Sequence, residues 1–443
     1  MSPFPIRPGK PGYQHEAPWV VVAVLLISFF YWRGLPDIPF HPDEGTQIFM
    51  SADLDLLFSH PAGLAWQPEN DSPVQSRYRL LDAPLPRLLI GIGRSLAGFP
   101  ALAVDWDWTR TWDQNLNAGA LPSPGLLQAS RLGIAILFPF SLGCIYLTAR
   151  TLAGPPAAWL AMLLVAGNGL ILLHTRRAMA EGVLLFTESW LLWFLVTPRL
   201  WRGWIAVPAA LAFCAKQSTA ALALLALAVL WLPGPAREKS ISGRLRQSLW
   251  FVILLGGIFV LLNPFLWSHP LGALQAAVAA RSTLLDQQAS MLHSIRPDLV
   301  TSNLLQRSAA WLVHLFFSPP ATADVGNYLD ATRSADLAYL SNPLHQLFRG
   351  LVQGGVLFFL SILGCLTAIP PAVHHRDGRT LSLAVFFLAG LASVLSIILL
   401  LPVPFQRYIL PVVPITSIWA AIGLSQAGSA LFRYIRSRSA ASE

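Results

Sequence analysis

The chain is punctuated by apolar runs long enough to cross a bilayer as helices. They fall at roughly 17–33, 129–149, 155–174, 178–197, 203–216, 217–232, 249–267, 348–369, 381–401 and 408–432. The fifth and sixth form one apolar stretch, broken only by Ala215-Lys216-Gln217-Ser218-Thr219. A lysine in the middle of one long membrane helix is costly, so the pattern predicts a tight re-entry there. Between the runs lie two long mixed segments, 34–128 and 268–347. Within them, Leu85–Ala97 reads as a helix lying in the membrane interface, with Arg87 and Arg94 on one face. Leu271–Leu285 and Asn303–Phe317 read as further helices, and Asp105-Trp106-Asp107-Trp108 with Trp112 as an interfacial aromatic cluster. The predicted fold is an all-α polytopic membrane protein of about ten transmembrane helices, with two long extracytoplasmic loops bearing juxtamembrane helices.

Composition agrees. Hydrophobic residues make up 54% of the 443 residues and charged residues 12%, against about 25% charged in soluble domains. The three cysteines, Cys144, Cys214 and Cys365, all lie inside apolar runs, so neither a disulfide framework nor a thiolate metal site is expected. The first run has no cleavage motif and is expected to be a retained helix. Asn70-Asp71-Ser72 matches a glycosylation sequon, a pattern common by chance.

Charge sets the orientation. One set of short connections and tails (Arg7, Lys10, Arg150, Arg199, Arg202, Arg237, Lys239, Arg244, Arg246, Arg376, Arg379, Arg433, Arg436, Arg438) holds about 14 basic residues against about 4 acidic ones. The other side sums to roughly −2. The basic side is expected to be cytoplasmic, with both termini there. The predicted organisation is a cytoplasmic tail at 1–16, one membrane domain at 17–432, and a basic cytoplasmic tail at 433–443. The net charge of +8 is thus a topology signal and points to no nucleic acid.

Candidate chemistry gathers on the opposite side. Phe40-His41-Pro42-Asp43-Glu44-Gly45-Thr46 follows the first span, and its carboxylates do not suit hydrocarbon. Asp43 reads as a general base, a metal ligand or a helix N-cap. His174-Thr175-Arg176-Arg177-Ala178-Met179-Ala180-Glu181 offers two arginines as a phosphate clamp and a second acid, or an Arg177–Glu181 pair four residues apart. Glu188 lies deeper on the same face. Lys216 suits a phosphate or an interfacial anchor. Arg407-Tyr408 and Arg87 are further cations at membrane depth. His41 and His269 are weak candidates for a metal ligand, leaving a divalent metal open and no cofactor defined.

The motifs, in order, resemble the GT-C superfamily of glycosyltransferases, in particular the protein O-mannosyltransferase and aminoarabinose transferase types. The residues concerned are the Asp43-Glu44 pair, Ala83-Pro84-Leu85-Pro86-Arg87, the Arg176 to Glu181 turn, Ala215-Lys216-Gln217-Ser218-Thr219, and Arg407-Tyr408-Ile409-Leu410-Pro411-Val412-Val413-Pro414. This chain departs from the family pattern with Glu181 in place of an Asp, with Asp82-Ala83-Pro84-Leu85 in place of H-P-P-L, and without a C-terminal soluble domain. The resemblance implies a phospholipid carrier-dependent hexosyl or pentosyl transferase of the cell envelope. It would move a sugar, with inversion, from a polyprenyl-phosphate donor to a hydroxyl on a protein, lipid or polysaccharide at the outer face of the inner membrane. Asp43 is then the base, with Glu44 beside it to orient the acceptor or share a cation. Lys216, Arg176, Arg177, Arg407 and Arg87 hold the donor phosphate, and Glu181 is a second acidic site. Two other readings of a polytopic chain are a transporter or lipid flippase, and an O-antigen ligase or polymerase. No internal repeat favours the transporter, and the early Asp-Glu pair disfavours the ligase.

Overall fold

A computed structural model describes residues 12–68, 74–200, 203–232, 240–295, 301, 303–323, 326–374, 378–401, 403 and 405–441. The sequon at 70–72 and the basic residues Arg7, Lys10, Arg202, Arg237, Lys239 and Arg376 lie outside these. Among the described residues there are twenty α-helices and no strands. In chain order they are α1 (Gly12–Arg33), α2 (Pro42–Met50), α3 (Ala52–Ser59), α4 (Val74–Leu81), α5 (Pro84–Leu96), α6 (Trp112–Asn117), α7 (Pro124–Ala135), α8 (Phe138–Ala153), α9 (Pro155–Ala166), α10 (Gly169–His174), α11 (Ala180–Val196), α12 (Ala206–Ala215), α13 (Ala220–Val229), α14 (Ile241–Leu262), α15 (Pro270–Ile295), α16 (Leu304–Leu312), α17 (Leu329–Ser341), α18 (Gly350–His374), α19 (Gly378–Leu400) and α20 (Val412–Ala441).

The protein is a polytopic membrane protein, but not every predicted run is a clean span. Among the described residues, six helical stretches are long and apolar enough to cross a bilayer: Glu16–Arg33, Pro124–Ala153, Ile241–Leu262, Gly350–Ala368, Gly378–Leu399 and Val412–Ser439. The other expected spans are short or broken, for local reasons. Asn168 caps a new helix, its Oδ1 accepting from Leu170 N–H at 3.0 Å, so the run 155–174 splits into α9 and α10. The run 203–232 breaks where Lys216 adopts extended backbone (φ −160°, ψ 128°) between α12 and a 3-10 turn. The helix predicted at Leu85–Ala97 is α5, and prolines at its start suit a first helical turn. The two outer-segment helices predicted at 271–285 and 303–317 are α15 and α16, the latter ending in a π turn at Val313–Phe317.

Small residues allow the bundle to close. α8, α9 and α11 share a core in which Ala157, Ala158 and Ala161 are fully buried. α18 and α20 cross so closely that a Cβ on Gly364 would lie 1.9 Å from the Trp419 carbonyl, and one on Gly423 2.2 Å from that of Leu360. Only hydrogen fits at such a crossing.

Two ends of the bundle are distinguished by α1. Near its start, Glu16 pairs with Arg150 and Tyr146 of α8. Near its end, Tyr31 stacks on Phe138 at 3.7 Å, at the start of α8. The separation is roughly 22 Å along the helix. Arg379 lies at the Glu16 end too, where its Nε donates to the Leu152 carbonyl at 2.8 Å. The loop carrying Asp43 lies at the Tyr31 end.

Candidate active site

The site begins at the N-terminus of α2. His41 is its cap: its Nδ1 accepts from Asp43 N–H at 3.1 Å, and its own N–H donates to Glu44 at 3.1 Å, closing a reciprocal capping box. Glu44 is therefore turned inward. It is fully buried and forms a two-pronged pair with Arg131 of α7, with both N···O distances 2.8 Å, and accepts from Ala178 N–H at 2.9 Å. Burial alone would push its carboxyl up. The charges of Arg131 and Arg177 and the hydrogen bonds outweigh that and hold it below the ordinary glutamate value. Arg131 is itself 1% exposed and donates to the carbonyls of Leu35 and Ile38, both at 2.9 Å. It clamps the loop after α1 onto α7. Arg131 was not among the sequence candidates, although a lone charge in an apolar run requires a partner and was a legible signal.

Asp43 points the other way and keeps 28% of its side chain exposed. Its carboxylate pairs with Arg407 of the 3-10 turn Gln406–Ile409. The Arg407 guanidinium lies 5.5 Å from the centre of the Tyr408 ring, and Lys216 Nζ lies 4.9 Å from the same ring. Lys216 in turn binds Glu181, at the first turn of α11, at 2.8 Å. Asp43, Arg407, Tyr408, Lys216 and Glu181, from four separate parts of the chain, thus form one partly exposed cluster. The turn bearing Arg407 is pinned by Gln406, which accepts from Ala321 N–H at 2.5 Å and donates to the Pro319 carbonyl at 3.0 Å. The second outer segment therefore fixes the cation that faces Asp43.

Two further acids flank Asp43. Asp82 accepts from Gln47 at 3.1 Å, and Asp105 from the Tyr78 hydroxyl at 2.7 Å. Burial, with the Asp43 charge adding to it, raises both carboxyls, although Arg87 opposes this at Asp82 and the Tyr78 hydrogen bond does so at Asp105. Burial and Asp105 likewise push the Tyr78 phenol up.

The remaining candidates lie elsewhere. Arg177 precedes α11 and is not on it, so it does not stand one turn from Glu181; instead it donates to the carbonyls of Pro39 and Thr322, tying the two outer segments together. Arg176 lies against α1, its guanidinium 4.7 Å from the Tyr31 ring, with Asp37 and Tyr339 as its other neighbours. Arg87 and Arg94 face inward, not toward the interface, because α3 supplies their acids. Arg87 Nε binds Asp53 at 3.0 Å beside Arg79, and Arg94 binds Asp55 at 2.5 Å. Arg87 thus holds an internal carboxylate. Glu188 is buried in α11. The tryptophan cluster packs against the Asp43 loop, with Trp106 buried among Phe40, Trp112 and Trp108. His41 is occupied in capping, His269 is exposed, and among the described residues no group of three or more His, Cys, Asp or Glu is arranged to hold a metal.

The fold has counterparts of known structure. The oligosaccharyltransferase of Archaeoglobus fulgidus in its apo form superposes with a TM-score of 0.50 at 13% identity, over 95% of this chain and 52% of that one. The AglB oligosaccharyltransferase of the same organism, in complex with an inhibitory peptide and a dolichol-phosphate, gives 0.49 at 12% identity over 96% and 52%. ArnT from Cupriavidus metallidurans bound to undecaprenyl phosphate gives 0.47 at 14% identity, over 91% of this chain and 60% of that one. The chain thus spans about half the length of the oligosaccharyltransferases it matches. No protein-family model and no curated protein sequence matches it. The likeness is one of fold: the chain shares its membrane architecture with the apo-form oligosaccharyltransferase.

Proposed function

We propose that the protein is an inverting glycosyltransferase that uses a polyprenyl-phosphate-linked sugar at the extracytoplasmic face of the inner (plasma) membrane. The observation that carries this reading is the cluster of Asp43, Arg407, Tyr408, Lys216 and Glu181. A partly exposed carboxylate stands in one cluster with two cations at the end of a membrane bundle. That arrangement fits an acceptor hydroxyl next to a lipid phosphate.

In the reaction, Asp43 takes the proton of the acceptor hydroxyl. The acceptor oxygen bonds to the anomeric carbon as the bond from that carbon to the phosphate oxygen breaks. The electron pair leaves with the phosphate, and the transition state has oxocarbenium character. A phosphate ester is a weak base, so no general acid is needed. Arg407 and Lys216 stabilise the departing charge. Tyr408 holds the two cations at one ring, and Glu181 directs Lys216. Glu44 acts indirectly, by fixing the helix end that carries Asp43. The acceptor is a protein, lipid or polysaccharide hydroxyl.

The test is sugar transfer by purified protein supplied with lipid-linked donors. Asp43→Asn should lower turnover by about 10²–10⁴-fold, the usual contribution of a positioned base, while leaving donor binding in place. Near-normal turnover would remove Asp43 from this role.

A further inference from the structure

The opposite end of the bundle carries a second feature that the proposed reaction does not use. α20 has 30 residues and is about 45 Å long, well beyond the roughly 30 Å hydrocarbon core. Its last half leaves the bundle. Between it and the start of α9 runs an open groove of about 600 Å³, lined by Pro156, Leu160, Leu424, Gly428, Phe432 and Arg433, with Ser425 and Ser429 beside them.

The two ends of this groove differ in chemistry. Leu424 and Phe432 are exposed along its length. Arg433 stands at its mouth, with Arg436 and Arg438 exposed on the following turn and Arg438 lying 5.0 Å from the Tyr434 ring. Arg150, Arg379 and Glu16 occupy the same end of the bundle. An apolar channel that runs into a group of arginines matches a molecule with a hydrocarbon chain and an anionic head.

We infer that this groove binds an anionic phospholipid of the cytoplasmic leaflet, its acyl chain along Leu160, Leu424 and Phe432 and its phosphate on Arg433 and Arg436. The inference rests on the membrane orientation proposed above. It is independent of the catalytic assignment, since none of these residues touches the Asp43 cluster. An anionic leaflet surface attracts each basic side chain by about a fivefold gain in affinity.

The experiment is native mass spectrometry of the full chain in detergent with equal amounts of phosphatidylglycerol and phosphatidylcholine of matched chains. Wild type should retain phosphatidylglycerol in preference. Arg433→Ala with Arg436→Ala should reduce that preference by about 25-fold, at about fivefold per arginine. Gly428→Phe places a ring at the groove, where a Cβ meets nothing within 4 Å; it should reduce retention of both lipids. All three proteins should melt alike and keep sugar transfer. Equal retention of the two lipids by wild type, or retention unchanged in both variants, would overturn the inference. So would a doubled mass that disappears in Gly428→Phe, because a second copy would then occupy the groove.

Discussion

Arg131→Met offers the sharpest test of how the candidate site is held. In the wild type, Arg131 makes two charge-assisted hydrogen bonds to Glu44 and two to the Leu35 and Ile38 carbonyls. Without it, Glu44 keeps only the His41 and Ala178 N–H donors and the more distant charge of Arg177. A buried carboxylate so exposed to its own desolvation cost takes up a proton. The cost of neutralising it limits the penalty. From the ordinary glutamate value of 4.5, that cost at pH 7 is about 3.4 kcal/mol, at about 1.36 kcal/mol per unit. Two lost backbone hydrogen bonds add about 1–3 kcal/mol. The total, about 4–6 kcal/mol, is a large part of a typical folding free energy of about 5–15 kcal/mol.

The sign with pH follows from the same reasoning. In the variant the folded Glu44 titrates above its unfolded value, so the variant gains stability as pH falls through that range. In the wild type Glu44 titrates below it, so its contribution is lost on acidification. The gap between the two proteins should therefore narrow, by about 2 kcal/mol between pH 7 and pH 5.5. Adding Glu44→Gln to Arg131→Met should recover most of the deficit, since no charge is left to bury. The assay is denaturant unfolding in mixed micelles at both pH values. A single-variant cost below about 1.5 kcal/mol, or a cost independent of pH, would refute the clamp.

Other consequences of the geometry can be measured directly. Lys216→Ala should weaken donor use, and Glu181→Gln should do so more mildly by freeing Lys216; an unchanged apparent donor affinity in Lys216→Ala would make that lysine a mere anchor. Asp82→Asn should stabilise the protein at pH 8, because the neutral form is the one the folded site prefers, and the gain should shrink as pH falls toward the ordinary carboxylate range; a constant difference across pH would contradict the placement of Asp82 beside Asp43. Gly364→Leu should disrupt the α18–α20 crossing and cost stability, while Gly257→Leu, where a Cβ meets nothing, should be tolerated; equal melting temperatures would refute the close approach.

The sequence carried the fold because hydrophobic periodicity reports burial in lipid and proteins alike. It carried the exact spans less well. Short breaks at Asn168 and Lys216 depend on caps and turns a few residues long, which a window of about 20 residues averages away. The second outer segment showed its helices, but not that its carbonyls at Pro319 and Thr322 tie down Gln406 and Arg177.

For the site, the limit was in assigning partners. Every cation in the outer segments looked equally suited to a phosphate, because sequence shows a charge but not what lies opposite it. Arg87 and Arg177 are committed to internal acceptors, Asp53 and the Pro39 and Thr322 carbonyls, and Arg176 rests on Tyr31. Lys216 and Arg407 differ in that they pair within a partly exposed cluster, where, in the proposed reaction, an incoming phosphate would compete for them. The same distinction separates the adjacent acids. Glu44 has four donors and no access, while Asp43 keeps an open edge. One residue of turn on a capped helix decides which carboxylate maintains the loop and which stays partly open to solvent.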